Sequence, residues 1–131
     1  MYSNHIQVPC SPGELLDKLS ILEIKSERIS DEKKLSNVQL EMQLLAQIRE
    51  QSIETTDELE EIYSELKAVN EALWDIEDDI RICEKKRDFS LRFVELARSV
   101  YVTNDKRADL KKQINRLLNS SLVEEKSYQV Y

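Results

Sequence analysis

The composition of the chain limits what it can be. The protein has 131 residues, a formal net charge of −7 and 34% charged residues. A chain of this length is expected to form a single domain, residues 1–131, whose core needs no metal ion or disulfide bond. The negative net charge of the protein would repel the phosphate backbone of a nucleic acid, so we expect no nucleic-acid partner.

The cellular compartment of the protein is predicted from two features that the sequence lacks, a membrane span and a signal peptide. No apolar run approaches the roughly 18 residues of a membrane span, and Met1 to His5 lack the pattern of a signal peptide. We therefore expect a cytoplasmic protein with no membrane partner.

Cys10 and Cys83 are predicted to be free thiols, since two cysteines make no disulfide framework. His5 is the only histidine, so neither zinc ligation nor Cys/His catalysis is predicted, and no cofactor is expected.

The first helix is predicted to begin at Pro12, after an extended lead-in over residues 1–11. Ser11 is a suitable N-cap, and Glu14 completes a capping box around a proline at the first helical position. The apolar face of this helix is wider than one partner helix needs, so we expect contacts on two sides.

A break between helices one and two is predicted at Ser30 to Glu32, where the apolar phase changes. Helix two is expected to run to about Ile53. Thr55 and Glu58 are predicted to form the capping box of helix three.

Helix three carries the strongest pattern, in which apolar residues alternate at steps of three and four. This is a heptad a/d pattern, by which one helix packs along another. Its members are Leu59, Ile62, Leu66, Val69, Leu73, Ile76, Ile80 and Cys83.

A matching pattern in helix four predicts an antiparallel hairpin. Its members are Phe93, Leu96, Val100, Thr103, Arg107, Leu110, Ile114 and Leu117. With a reversal at 87–89 and Asp88 as the next N-cap, Ile62 lies opposite Ile114 and Cys83 opposite Phe93. The predicted fold is all-α, an antiparallel bundle built on this coiled-coil hairpin, with two shorter N-terminal helices and a tail at 120–131.

Charge supports the hairpin. Residues 54–79 contain eleven acidic residues and one lysine, whereas residues 105–116 contain five basic and two acidic residues. We therefore expect opposite charges to pair between helices three and four.

Two positions of the seam are polar, because Arg107 faces Val69 and Thr103 faces Leu73. Such residues can simply fix the register. Alternatively, they mark a binding site between helices, where Trp74 and Tyr101 converge. The candidate ligand-binding residues are Asn70, Trp74, Glu77, Arg98, Tyr101, Asn104, Asp105 and Arg107.

Arg107 needs a partner in this arrangement. We expect Glu71 or Asp105 to fill that role, and we expect Arg107→Leu to leave the fold intact, because an apolar replacement of a seam charge is often neutral or stabilising.

Four segments of the chain stand out as motifs: residues 8–18 (VPCSPGELLDK), 70–81 (NEALWDIEDDIR), 96–105 (LARSVYVTND) and 124–128 (EEKSY). They resemble those of one family of small uncharacterised bacterial proteins, a domain of unknown function. The resemblance implies a complete single domain and no particular activity. It also implies that the tail around Lys126 and Tyr128 docks on the body. Arg87 stands where the family is expected to have glycine, and Glu32 where proline is common.

Three classes of function fit these residues. The main hypothesis is a protein-interaction or accessory module, acting as a homodimer or with a protein partner, that buries apolar surface such as that of helix one. The second is a protein that binds a small anionic or sugar-like ligand at the candidate residues. The third is a Mg²⁺-dependent hydrolase using Glu71, Asp75 and Asp78, which recur at i, i+4 and i+7 on one helical face. The chain offers no other catalytic set, so an enzyme is the less favoured reading.

Overall fold

The computed structural model describes residues 4–131, which form four α-helices and no strand. The helices are α1 (Pro12–Arg28), α2 (Glu32–Ser52), α3 (Asp57–Lys85) and α4 (Leu91–Leu117). α3 and α4 have 29 and 27 residues and pack most extensively against each other. The prediction of an all-α bundle, built on a long hairpin with two shorter N-terminal helices, is confirmed.

α1 and α2 begin where the sequence predicts. Ser11 Oγ accepts a hydrogen bond of 3.2 Å from the N–H of Glu14, and Pro12 is the first residue of α1. The helical conformation is interrupted at residues 29–31, and Asp31, the last of these residues, caps α2. Glu32 is the first residue of α2, a position that suits proline because its N–H needs no partner within the helix.

The predicted caps of α3 and α4 are wrong by one and two residues. Thr56, not Thr55, caps α3, because its Oγ1 accepts from the N–H of Leu59 at 3.2 Å. Ser90, not Asp88, occupies the N-cap position of α4 and makes no side-chain cap bond. Asp88 instead accepts a hydrogen bond from the N–H of Ser90 at 3.1 Å, inside the turn.

The reversal between α3 and α4 has the geometry of a Schellman motif. The N–H of Asp88 donates to the carbonyl of Cys83 at 2.8 Å, and that of Arg87 donates to the carbonyl of Glu84 at 3.1 Å. Arg87 has a φ of 55°, in the left-handed region where glycine carries no Cβ penalty. This conformation accounts for the glycine expected at this position.

The hydrophobic core lies at the open end of the hairpin, where α1 packs against all three other helices. Its buried members are Leu15, Leu16, Leu19, Leu59, Tyr63, Leu66, Leu110 and Ile114. The contacts that α1 was expected to make on two sides are therefore present. Leu16 and Ile24 are fully buried, so the expectation that helix one offers apolar surface to a second copy is wrong.

The N-terminus of α1 packs unusually close to α4. The N–H of Gly13 donates to Oδ1 of Asn115 at 2.8 Å. A Cβ atom at Gly13 would lie 2.6 Å from the carbonyl oxygen of Lys111. Beside this contact, Lys111 Nζ lies 2.8 Å from a carboxylate oxygen of Glu14 and 3.0 Å from one of Glu124 in the tail.

The charge pattern predicted ion pairs between α3 and α4, and one is present, Asp79 of α3 with Arg92 of α4 at 3.9 Å. Most of the shorter ion pairs, however, run between α1 and the hairpin. Arg107 of α4 pairs with Asp17 of α1 at 2.5 Å, and Asp75 of α3 pairs with Arg28 of α1 at 2.7 Å. α1 lies against both long helices, so it supplies counter-charges to each.

The hairpin extends beyond α1, which ends at Arg28 beside Trp74 and Asp75. Cys83 is the one buried residue between residues 76 and 100. We call residues 76–100 the hairpin tip.

The C-terminal tail lies along α4, as the family resemblance implied, through Glu124 of the 124–128 segment and through Tyr131. Glu124 contacts Lys111, and the ring of Tyr131 lies 5.1 Å from that of Tyr101, measured between centroids. The hydroxyl of Tyr131 donates to Asp105. Tyr128, by contrast, is 81% exposed.

Both cysteines are free thiols, as predicted, with Cys10 exposed and Cys83 buried. Within residues 4–131, no helix is both long enough and apolar enough to cross a membrane.

The register of the hairpin can be tested by crosslinking. In a background of Cys10→Ser and Cys83→Ala, the pair Ile62→Cys and Ile114→Cys should oxidise readily, because opposed positions bring Cβ atoms to about 4 Å. The pair Ile62→Cys and Val100→Cys should not, and gel mobility without reductant measures both. Crosslinking of the second pair alone would show the register to be wrong.

Gly13→Ala should destabilise the protein, although alanine is the better helix former by about 1 kcal/mol. The new Cβ would meet a backbone oxygen of α4, and overpacking of this kind typically costs about 1–3 kcal/mol. We expect a lower midpoint in urea. Ser26→Ala in the last turns of α1 is the matched control. A more stable Gly13→Ala variant would show that α1 does not approach α4 this closely.

Candidate functional site

A buried carboxylate lies at the centre of the molecule. The side chain of Asp17, on α1, is 1% exposed. Arg107 of α4 donates to it through Nε at 2.9 Å and through Nη2 at 2.5 Å, and Asn70 of α3 donates through Nδ2 at 2.9 Å. One carboxylate thus joins three helices.

Ser20 completes this polar network. Its hydroxyl donates to the carbonyl oxygen of Asp17 at 2.7 Å and accepts from Nδ2 of Asn70 at 2.8 Å. The hydrogen bond to Asp17 raises the pKa of Arg107 above its usual value, so the guanidinium stays charged. Among the described residues, every buried side-chain nitrogen and oxygen has a hydrogen-bond partner. Every fully buried side-chain nitrogen and oxygen of the network is therefore satisfied.

The predicted partners of Arg107 are wrong. Glu71 lies 3.8 Å from Arg28, and Asp105 accepts from Tyr131, so both carboxylates have other contacts. The true partner, Asp17, is 90 residues away in sequence. Only the packing of α1 on the hairpin brings the two together.

An open groove of about 270 Å³ lies beside this network. Its apolar wall consists of Ile21, Ile24, Leu73 and Trp74. Its polar side consists of Asn70 and Arg107, with Glu77 and Asp78 as further lining residues. α1, α3 and α4 all contribute to it.

Two polar atoms remain available on the polar side of the groove. Asp17 takes the Nε and Nη2 donors of Arg107, while Nη1 makes no hydrogen bond to any residue of 4–131. Asn70 uses its Nδ2 for Asp17 and Ser20, and its Oδ1 has no partner in the same range. Because no buried side-chain nitrogen or oxygen of the described residues lacks a partner, both atoms must reach solvent. Both residues line the groove, so Nη1 and Oδ1 are the donor and the acceptor that its polar side can offer, and the same carboxylate holds both side chains in place.

Four of the eight candidate ligand residues line this groove: Asn70, Trp74, Glu77 and Arg107. The other four lie elsewhere. Tyr101 and Asp105 contact Tyr131 of the tail, Arg98 is exposed and Asn104 is half-buried. Within residues 4–131, Trp74 and Tyr101 make no ring contact with each other: Trp74 packs under the guanidinium of Arg28, whose Cζ lies 5.7 Å from the ring centroid, and Tyr101 packs against Tyr131.

The three carboxylates of the metal hypothesis are partly occupied by a cation of the protein itself. Arg28 lies 2.7 Å from Asp75 and 3.8 Å from Glu71, whereas Asp78 lines the groove. Within residues 4–131, no three side chains of His, Cys, Asp or Glu are arranged to hold a metal ion.

Sequence reasoning missed Asp17, Ser20, Ile21 and Ile24. A signal for the first two was present, because Gly13, Asp17, Ser20 and Ile24 recur at helical spacing on one face. A carboxylate on such a face predicts a buried, paired charge.

A second feature is an apolar stripe on the outside of α2. Leu40, Leu44 and Ile48 follow each other at i, i+4 and i+8 and are 61%, 40% and 47% exposed. The backbone of α2 lies next to α1 alone among the described helices. Between residues 35 and 48 the only charged residue is Glu41, which pairs with Lys18 at 3.3 Å.

These features define the class of the protein: a small four-helix protein with a satisfied buried ion pair and an open groove beside it. The chain belongs to a family of unknown function, DUF6165, whose model matches residues 6–131. No curated protein and no solved structure shows significant similarity to the chain.

The sequence predicted that Arg107→Leu leaves the fold intact, but the polar network around Asp17 predicts that this substitution lowers the stability of the protein. Leaving a buried carboxylate unpaired typically costs about 3–5 kcal/mol, so this variant should lose most of its stability. The double variant Asp17→Leu with Arg107→Leu should regain at least half of the loss, because no charge is then stranded. Urea unfolding followed by circular dichroism measures both. Equal stability of Arg107→Leu and the wild-type protein would contradict the network.

Proposed function

We propose that the protein is an interaction module that forms a homodimer through the outer face of α2. The observation that carries the proposal is the apolar stripe of Leu40, Leu44 and Ile48, which no described part of the chain covers. α2 has 21 residues and is therefore about 30 Å long. Its i±4 ridge suits packing against an identical ridge.

Charge favours a second copy as the occupant. Two chains of net charge −7 repel each other wherever carboxylates face carboxylates. The α2 stripe limits this repulsion, because its neighbours include the uncharged amides Asn37, Gln43 and Gln47, and the carboxylate beside it, Glu41, is paired with Lys18. An amide side chain both donates and accepts hydrogen bonds, so it can pair with its own symmetry mate in a two-fold interface.

The mass of the protein in solution tests the homodimer. A single helix pair buries less than the roughly 800 Å² per partner of a standard complex, so we expect dissociation in the micromolar range. Light scattering after size exclusion should give a mass that rises from monomer to dimer between about 1 and about 200 µM. Leu44→Glu should stay monomeric throughout, since it places a charge in the stripe.

Leu91→Glu is the matched control, because Leu91 is 70% exposed and lies outside α2. It should dimerise as the wild-type protein does. A wild-type chain that remains monomeric at the highest concentration would exclude self-association, and a different protein partner would then have to occupy the stripe.

The groove beside Arg107 supports a second proposal, that the protein binds a small ligand there. The supporting observation is the pair of available polar atoms, Arg107 Nη1 and Asn70 Oδ1, next to the apolar wall that contains Trp74. Ligand sites of proteins are typically apolar clefts with a few fixed polar groups.

A further inference from the structure

We propose that the ligand of the groove is a free amino acid with an apolar side chain, bound as the zwitterion. This inference rests on the second proposal above, that the groove is a ligand site, and it assigns the chemistry of the ligand. It does not depend on the α2 homodimer.

The polar side of the groove matches the two ends of an amino acid. Arg107 Nε and Asn70 Nδ2 each donate 2.9 Å bonds to the same oxygen of Asp17, so the two side chains are immediate neighbours. The free Nη1 of Arg107 is a donor for an α-carboxylate. The free Oδ1 of Asn70, on the side chain next to that of Arg107, is an acceptor for an α-ammonium group.

Both of these atoms are held before any ligand arrives. Asp17 binds Arg107 in a bidentate manner, which fixes the plane of the guanidinium. Asn70 is 5% exposed, and its two bonds from Nδ2 fix the orientation of its amide. A site ordered in advance loses less conformational entropy on binding.

The charge of the groove argues against the anionic ligand considered from the sequence. The charge of Arg107 is already compensated by Asp17, while Glu77 and Asp78 add negative charge to the lining. Glu77 in turn has Arg81 3.3 Å away, which leaves Asp78 as the uncompensated carboxylate of the lining. Asp78 would repel a ligand of net negative charge, whereas it attracts the ammonium group of a zwitterion, whose net charge is zero.

The size and the wall of the groove complete the assignment. A volume of about 270 Å³ lies just below the range of drug-sized ligand pockets, about 300–1,000 Å³. Ile21, Ile24 and Leu73 offer an apolar surface to a side chain such as that of leucine. Trp74, the only tryptophan of the chain, lies on the same wall and can report binding.

The test measures Trp74 fluorescence and calorimetric heats with four compounds: leucine, N-acetyl-leucine, leucinamide and glucose. Leucine should saturate both signals. N-acetyl-leucine lacks the ammonium group and leucinamide lacks the carboxylate, so each should bind at least about tenfold more weakly, equivalent to about 1.4 kcal/mol. Glucose, which represents a sugar-like ligand, should give neither signal.

A charge variant provides the second arm. Glu77→Gln with Asp78→Asn removes two exposed carboxylates of the groove and should weaken leucine binding several-fold with unchanged helicity. Glu84→Gln with Glu95→Gln changes the net charge equally at the hairpin tip and should bind as the wild-type protein does.

The outcomes separate the two claims. Leucinamide or N-acetyl-leucine binding as tightly as leucine would overturn the free amino acid, with the first result pointing to a peptide N-terminus. Saturable binding of glucose alone would overturn the amino acid and leave the groove as a ligand site. Silence of both signals with all four compounds would overturn both the assignment and the groove.

Discussion

The arrangement of the helices depends on one buried charge. Asp17 cannot be moved into the core alone, because an unpaired carboxylate in an apolar environment costs several kcal/mol. Its compensation comes from Arg107 on α4 and Asn70 on α3. α1 can therefore adopt only the position along the hairpin in which both donors reach the same carboxylate. An apolar side chain at residue 17 would tolerate small shifts of α1, so the buried pair favours one arrangement over its neighbours.

The same constraint creates the groove. A guanidinium and an amide that hold a buried carboxylate cannot be covered by apolar side chains on every side, because each has one polar atom left over. Leu73 and Trp74 continue the wall beyond these atoms. Of the two polar positions in the seam, Arg107 therefore has a structural explanation in Asp17, and the accessible donor and acceptor follow from the same network.

The parts of the fold that could be predicted are those encoded by local pattern. The periodicity of α3 and α4, the cap at Ser11 and the break before Asp31 depend on residues within a few positions of one another. Adjacent threonines carry almost the same capping signal, which explains the error at Thr55. The partner of Arg107 depends on how α1 lies across the hairpin, and no short-range pattern contains that information. For the same reason the sequence placed Trp74 and Tyr101 together, although they face different surroundings.

The hairpin tip gives the protein an uneven distribution of local stability. Residues 76–100 lie beyond the end of α1, and their apolar side chains other than Cys83 are at most half-buried, so the tip can open at a lower free energy than the core. Its amide protons should exchange with solvent before those of residues 59–70. Cys10 is exposed in every state, whereas Cys83 is buried until the tip separates. The rate at which the Cys83 thiol reacts with a thiol reagent thus measures how often the hairpin tip opens while the rest of the molecule stays folded.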